Sequence, residues 1–338
     1  MLTFDQAIEA ANGKKHLLLG NGFSIALKPD IFTYGSLFSK ADFTTAPHAE
    51  ALFDALDTKD FEAVIRLLVD MERALPLYEQ SAPELVEQVR QDAEALKTIL
   101  ANVIARNHPD RPYDIEHAQY AYCRQFLSNF EHIYTFNYDL LLYWSLMHDE
   151  VDELDIRCDD GFRHPEGNED APYVSWQDSN SPTVHFLHGA LHIFDAGHEL
   201  TKYTWSKTDV AIVDQIRMAL DEQKYPLFVA EGHSQGKLDK IMHSAYLHKA
   251  LRSFENIGGS LFVFGHSFDD NDDHILGRIP TGKIQDLFVG IYGDPKSVEN
   301  SRTISKAKRF AEQRSEIPRK KPLEVHFYDA SSSKVWGE

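Results

Sequence analysis

Cysteine is scarce in this sequence. Only Cys123 and Cys158 occur among 338 residues. Two thiols exclude both a disulfide framework and a zinc site built from four cysteines. We therefore expect two reduced thiols, as in a cytoplasmic protein, and no structural zinc.

Positive charge and long apolar runs are also lacking. Lys and Arg total 34 against 53 Asp and Glu, which gives a formal charge of −19. Such a field opposes direct binding to nucleic acid or to an anionic membrane. The apolar stretches, such as residues 140–147, are far shorter than the ~20 residues of a spanning helix. The acidic, amphipathic residues 1–11 do not resemble a signal peptide. We expect a cytoplasmic protein that contacts no membrane.

Short apolar runs that alternate with helical or loop segments indicate the fold. The runs that we predict as strands cover residues 14–20, 132–136, 183–187, 226–230, 260–265, 286–292 and 323–328. Several are apolar on both faces, as buried parallel strands are. The pattern predicts one α/β domain over residues 1–338, with a doubly wound, mostly parallel, Rossmann-like sheet.

Two segments interrupt the alternation. Residues 40–130 form a predicted helical insertion, in which apolar residues such as Phe61, Val64, Ile65 and Leu68 recur at three- and four-residue steps. We expect two or three amphipathic helices there, broken near prolines 76 and 83. Residues 149–180 are rich in Asp, Glu, Gly and Pro and form a predicted polar loop excursion.

Four segments directly follow predicted strands, and ligands of doubly wound sheets bind at that end of the strands. They are Gly20-Asn21-Gly22-Phe23-Ser24, Thr135-Phe136-Asn137-Tyr138-Asp139, Phe186-Leu187-His188-Gly189 and Phe264-Gly265-His266-Ser267. The repeated placement predicts a single cleft lined by all four.

The glycine-rich first segment is typical of a phosphate loop. Gly20 and Gly22 allow the backbone to approach an anion closely, and the N–H groups at the helix start can hold it together with the Ser24 hydroxyl. The third glycine of a dinucleotide-binding fingerprint is missing, so a purely structural turn is an equal alternative.

The other segments carry residues suited to catalysis. Asn137 and Asp139 alternate with Tyr138, so their side chains can face the same way, although Asp139 could instead cap the following helix. His188 follows a strand directly and can reach into a cleft. Taken alone, however, such a histidine is more often a hydrogen-bonded structural residue.

Metal sites are not expected from the histidines or from the acidic run. His185 and His188 are three apart on a strand and should face opposite ways, and with His192 they lack a third ligand at a suitable spacing. The run Asp269, Asp270, Asp272 and Asp273 lacks the spacing of a calcium loop and predicts a solvated helix start.

In order and content these motifs resemble those of the sirtuin superfamily, specifically the sirtuin-like NAD-cleaving domains of bacterial anti-phage defence systems. The segment that begins at Gly20 resembles the G-A-G-x-S phosphate loop, and residues 135–139 resemble T-Q-N-x-D. His188-Gly189 resembles the catalytic histidine-glycine, and Gly265-His266-Ser267 resembles the G-T-S segment.

The sequence also departs from the family. The four zinc cysteines of the deacylases are missing from residues 190–225, the family's G-I-P-D-F-R arginine has no counterpart near Phe32, and Phe136 replaces the T-Q-N-x-D glutamine. The loss of the zinc module argues against acyl-lysine binding. The resemblance therefore implies hydrolysis of NAD, with NAD as the substrate and no zinc.

The resemblance also implies a role for each matched residue. Asn137 would position the ribose or the attacking water, His188 would be the general base, and Asp139 would hold the nicotinamide carboxamide. The segment from Gly20 through Asn21, Gly22, Phe23 and Ser24 would bind the pyrophosphate, and Gly265 and Ser267 would contact the adenosine half.

Two other functions remain open. One is a non-catalytic module that senses NAD or an ADP-ribose derivative and signals to a partner protein. The other is protein deacylation or ADP-ribosyl transfer. Because unregulated NAD hydrolysis would poison the cell, we expect a regulated effector in antiviral defence. Its activity is expected to depend on a homo-oligomer assembled through the helical insertion, or on a second defence protein.

Overall fold

A computed structural model describes residues 1–78, 83–168, 171, 173–178, 181–197, 199–204 and 210–337. The strands are β1 (Lys15–Leu19), β2 (His132–Thr135), β3 (Phe162–Arg163), β4 (Tyr173–Trp176), β5 (Val184–Phe186), β6 (Gly189–Asp195), β7 (Leu200–Tyr203), β8 (Pro226–Phe228), β9 (Gly258–Phe264), β10 (Lys283–Ile291) and β11 (Glu324–Asp329). The α-helices are α1 (Phe4–Ala10), α2 (Gly22–Leu27), α3 (Pro29–Phe32), α4 (Tyr34–Lys40), α5 (Pro47–Ala55), α6 (Phe61–Tyr78), α7 (Pro83–Asn107), α8 (His117–Leu127), α9 (Leu141–Met147), α10 (Ile212–Asp221), α11 (Ser234–His243), α12 (Ala245–Asn256), α13 (Asp273–Leu276), α14 (Arg278–Thr281) and α15 (Val298–Ser315).

The main sheet has the strand order β11-β10-β9-β1-β2-β5. Every neighbouring pair in it is parallel. The chain runs outward from β1 to β5 on one side and then returns to β9 and continues to β11 on the other. The strand order thus reverses between β1 and β9, which is where a doubly wound sheet opens a crevice at its carboxyl ends. The predicted α/β, doubly wound, parallel fold is confirmed.

The central strands are buried on both faces. Leu17, Leu18 and Leu19 of β1 and Phe262 and Val263 of β9 are at most 1% exposed. Side chains of successive residues point to opposite faces of a strand, so burial of consecutive residues requires helices on both faces of the sheet. This is the physical reason for the continuous apolar runs in the sequence.

The chain between β1 and β2 is helical. The three-and-four spacing predicted for it holds in α6, where Phe61, Val64, Ile65 and Leu68 are the buried residues. Pro83 begins α7, while Pro76 lies inside the last turns of α6 and does not end it. The predicted break near Pro83 falls on residues 79–82, outside the described part of the chain. Within the described part, no helix combines the length and apolarity needed to cross a bilayer.

A second sheet was not predicted from the sequence. It has the order β3-β4-β7-β6-β8 and is antiparallel throughout. Residues 226–230, which we grouped with the strands of the parallel sheet, contribute β8 to this second sheet. The segment 149–180, predicted to be a polar loop, carries β3 and β4; its residues 169, 170, 172, 179 and 180 lie outside the described residues. These strands were not predicted because they are short and half-buried and lie in a polar part of the sequence.

Gly189 links the two sheets, because it follows β5 closely and begins β6. Its φ is +79°, and a Cβ atom placed on it would lie 1.9 Å from the carbonyl oxygen of Leu227. The backbone of β8 therefore occupies the space that a side chain would need.

Replacing this glycine should destabilise the protein severely. We expect Gly189→Ala to lower the free energy of unfolding by at least about 2 kcal/mol, through both the left-handed backbone and the clash. Gly197→Ala is the matched control, because Gly197 has φ +84° but no atom of the other described residues within 4 Å of its missing Cβ. The control should lose about 1 kcal/mol. Urea denaturation measures both, and equal losses would contradict the steric argument.

Candidate functional site

The carboxyl ends of the parallel strands enclose a cavity of about 220 Å³. All four segments predicted from the sequence contribute to its wall, through Asn21, Asn137 and Asp139, His188, and Gly265 with Ser267. The helical chain between β1 and β2 supplies apolar wall residues, namely Phe32, Leu37, Phe61, Leu100 and Ile104. The strand ends and the helical segment together form one site.

The glycine-rich segment after β1 packs backbone to backbone against the segment after β9. A Cβ on Gly22 would lie 2.5 Å from the Cα of Gly265, whose φ is +69°. The N–H of Gly20 donates to Phe264 O at 2.9 Å, and that of Gly22 donates to Gly265 O at 2.8 Å. These two N–H groups are therefore engaged within the protein. Of the five residues in the segment, Asn21 is the one that lines the cavity.

Ser24 is fully buried beneath the cavity. Its hydroxyl donates to Asp139 Oδ2 at 2.5 Å and accepts from Asn137 Nδ2 at 2.9 Å. The hydroxyl thus holds two predicted site residues in place. Its predicted role as a direct contact to a phosphate stays a prediction, whereas a positioning role follows from these bonds.

Asp139 both bonds the start of α9 and lines the cavity. Its Oδ1 accepts the N–H of Leu141 at 2.9 Å, which caps the start of α9. The same carboxyl also lines the cavity. Burial raises its pKa, while the hydrogen bonds from Ser24 and Leu141 act in the opposite direction.

His188 lies between the parallel sheet and the second sheet and is 2% exposed. Its ring packs 4.7 Å from the ring of Phe136, centroid to centroid, and its Nε2 is 2.9 Å from Nε2 of His274. Burial first, and then the charge of Lys237, hold its pKa well below 6.5. At neutral pH His188 is therefore a neutral imidazole, able to accept a proton.

A buried charge cluster behind His188 was missed by the sequence analysis. Lys237 Nζ is 2.6 Å from Glu62 Oε2 and 3.0 Å from Asp272 Oδ1, and the lysine side chain is 1% exposed. Burial opposes the charge on Lys237, but the two carboxylates raise its pKa above the usual value. No motif or spacing marks this cluster, because its members come from three distant segments.

The position of the Asp272 side chain shows that one sequence prediction was wrong. We assigned residues 269–273 to a solvated helix start, but the Asp272 side chain is only 14% exposed and lines the cavity. Burial alone would raise its pKa; Lys237 and His266 instead hold it well below the usual value. The neighbouring Asp270 and Asp273 pair with Lys306 nearer the surface, as the prediction supposed.

His266 fixes the second oxygen of Asp272. Its Nδ1 accepts the N–H of Phe268 at 2.9 Å, which leaves the ring proton on Nε2. That N–H lies 3.0 Å from Asp272 Oδ2. The carboxylate is therefore ionised and bonded on both oxygens.

His188, Asp272 and His274 offer the donor set of a divalent metal site, since one ligand atom of each lies within 4.8 Å of the others. The buried Lys237 ammonium, however, is 3.0 Å from the same Asp272 oxygen that would bind the ion. A second cation there would be repelled in a low-dielectric environment. We therefore interpret the cluster as one that handles protons.

The other histidines considered as ligands lie apart. His185 Nε2 contacts Ser253 Oγ at 3.1 Å and its ring stacks 4.8 Å from that of Tyr134. His192 is buried against Tyr143 and Phe186. The strand spacing predicted this for His185; the His192 side chain, four residues from His188, also lies apart from it.

A family described as "Domain of unknown function (DUF4917)" matches residues 17–336, nearly the whole chain. The chain belongs to this family. No curated protein matches the sequence of this DUF4917 member. The DUF4917 match spans the main sheet from β1 to β11, so the cavity and its charge cluster lie inside the family domain.

Removing the buried ammonium should destabilise the protein. We expect Lys237→Met to lower the free energy of unfolding by about 3–5 kcal/mol, because two buried carboxylates would lose their counter-charge. Lys240→Met, on the same helix, is the matched control: its side chain is 39% exposed and pairs with Glu231 at 3.1 Å. That control should lose less than about 1 kcal/mol. A difference below 1 kcal/mol in denaturant unfolding would show that the cluster contributes little.

Proposed function

We propose that this protein hydrolyses NAD at the bond between nicotinamide and ribose and releases nicotinamide and ADP-ribose. The observation that carries the proposal is the convergence of Asn137, Asp139 and His188 on one cavity at the point where the strand order reverses. An amide, a carboxyl and a neutral imidazole are the groups that this reaction needs.

Acidic side chains in the cavity wall also support the proposal. Asp60, Glu62, Asp269 and Asp272 line the cavity with Asp139. The nicotinamide ring of NAD is cationic, and positive charge develops on the ribose as the bond breaks. Burial raises the pKa of Glu62 to about 7, whereas Asp272 is held ionised, and its negative charge stabilises both.

The chemical step assigns one task to each of the three residues. Water attacks the ribose C1′ atom, the C–N bond breaks, and nicotinamide leaves with the electron pair as a neutral molecule. Asn137 orients the ribose or the water, and Asp139 accepts a hydrogen bond from the carboxamide. His188 accepts the proton that the water loses.

The cavity size suggests how the substrate lies. Ligand pockets typically measure about 300–1,000 Å³, and 220 Å³ is smaller. We infer that the nicotinamide riboside half enters the cavity. The adenosine half would lie across its edge near Gly265 and Ser267.

The biological role rests on the resemblance to sirtuin-like defence domains. We propose a regulated effector that depletes NAD during phage infection, controlled by assembly or by a second protein. NAD sensing without catalysis is the alternative that the following variants distinguish.

Asn137→Ala and His188→Ala should each abolish NAD cleavage while leaving the fold intact. Loss of a general base costs about 10²- to 10⁴-fold in rate. The measurement is nicotinamide release at saturating NAD, with the melting temperature as the folding control. His192→Phe is a matched control because His192 is equally buried, lies outside the cavity wall, and has no hydrogen-bond partner for either ring nitrogen in the described part of the chain. It should turn over like the wild type.

Near wild-type turnover in His188→Ala, at an unchanged melting temperature, would remove His188 as the base. NAD binding without any nicotinamide release by the wild type would favour the sensing function instead.

The pH dependence should report the environment of His188. Its neutral form is the active form, and burial, together with the charges of Lys237, His274 and His266, keeps its pKa well below 6.5 against the opposing charge of Asp272. The kcat for nicotinamide release should therefore stay level from pH 8 to pH 6 and fall only under more acidic conditions. An ordinary histidine of pKa ~6.5 would leave only about a quarter of the activity at pH 6. Such a fall, with the fold intact at pH 6, would contradict the assignment.

A further inference from the structure

His188 and His274 meet edge to edge. Their Nε2 atoms are 2.9 Å apart, the ring planes differ by 14°, and the ring centroids are 5.1 Å apart. Nearly coplanar rings at this centroid distance face each other through their nitrogens and do not overlap. The contact has the geometry of an N–H···N hydrogen bond.

A single proton lies on the line between these nitrogens, because two N–H groups or two lone pairs would repel. The carboxylate of Asp272 lies near both rings, because one of its oxygens and one nitrogen of each ring are within 4.8 Å of one another. Its Oδ1 lies 3.8 Å from Nε2 of His188. Its negative charge favours a proton on that nitrogen, and the Lys237 ammonium opposes one there. With the proton there, Nε2 of His188 donates and Nε2 of His274 accepts.

The remaining nitrogen of His188 is then the basic one. Among the described residues, the bond to His274 is the hydrogen bond that the His188 ring makes. With the proton on Nε2, the lone pair lies on Nδ1, and His188 lines the cavity. We propose that His274 is a positioning residue, which holds His188 in the tautomer whose Nδ1 faces the substrate as the base. This inference rests on the proposed NAD hydrolysis.

The groups around the pair support this tautomer. Lys237 and His266 bond both oxygens of Asp272, so the carboxylate cannot rotate away from the histidines. Burial keeps the pKa of His274 low, at about 4, against the opposing charge of Asp272. His274 is therefore neutral and keeps the lone pair that His188 needs.

Two substitutions of His274 distinguish a role in positioning His188 from a role in packing alone. His274→Phe keeps the ring but removes the acceptor, whereas His274→Gln keeps an acceptor on a side chain that cannot take up a proton at neutral pH. We expect His274→Phe to lower kcat for nicotinamide release by about 10- to 100-fold with KM nearly unchanged. His274→Gln should restore kcat to near the wild-type value. Equal loss in both variants, or no loss in either, would overturn the proposal.

A spectroscopic measurement tests the tautomer without any turnover. Long-range ¹H–¹⁵N correlation spectra of the full chain with ¹⁵N-labelled histidine distinguish protonated from unprotonated ring nitrogens, and the spectrum of His188→Gln assigns the signals of His188. We expect a proton on Nε2 in the wild type and a mixture of tautomers in His274→Phe. A wild-type proton on Nδ1, or no change in the variant, would contradict the proposal.

The two proposals fail in different ways. If the wild type released no nicotinamide, the proposed function would fail, while the spectra would still decide the tautomer of His188. If the wild type and His274→Phe cleaved NAD equally fast and His188 had the same tautomer in both, only the proposed role of His274 would be contradicted.

Discussion

The site depends on the close backbone contact between the segments that follow β1 and β9. Gly22 and Gly265 approach so closely that a Cβ on either would lie within 2.7 Å of the other's backbone. The contact lies where the strand order reverses, and the residues that follow the strands there line one cavity. It also places Ser24 under Asn137 and Asp139, where a single hydroxyl orients both side chains. The glycines thus build the site through packing.

The second constraint is the placement of charge. One ammonium, Lys237, is buried between Glu62 and Asp272, and this fixes a carboxylate directly behind His188. Because Asp272 is ionised and bonded on both oxygens, it and Lys237 together control where the proton of His188 lies. The low dielectric that makes the cluster costly to bury also makes this control strong. The same arrangement explains how a buried histidine can stay neutral and still be directed toward a ligand.

Sequence alone predicted the parallel sheet and the convergence of four segments, because apolar runs and the residues just after them are local signals. It did not predict the second sheet, whose short strands lie partly in polar sequence. It also assigned Asp272 to a solvated helix start, since nothing local shows that Lys237, 35 residues earlier, would be buried against it. His274 was missed for the same reason: its contact with His188 joins residues 86 positions apart. Periodicity reveals which residues are buried, whereas pairing of distant charged groups needs the tertiary structure.

The central claim is that water cleaves NAD in this cavity. The most direct measurement is mass spectrometry of the products after the purified full chain is incubated with NAD in ¹⁸O-labelled water. The account predicts nicotinamide together with ADP-ribose that carries one ¹⁸O atom on the carbon that bore nicotinamide. Recovery of intact NAD from protein that demonstrably binds it, or ADP-ribose transferred to the protein in place of free labelled product, would contradict the account.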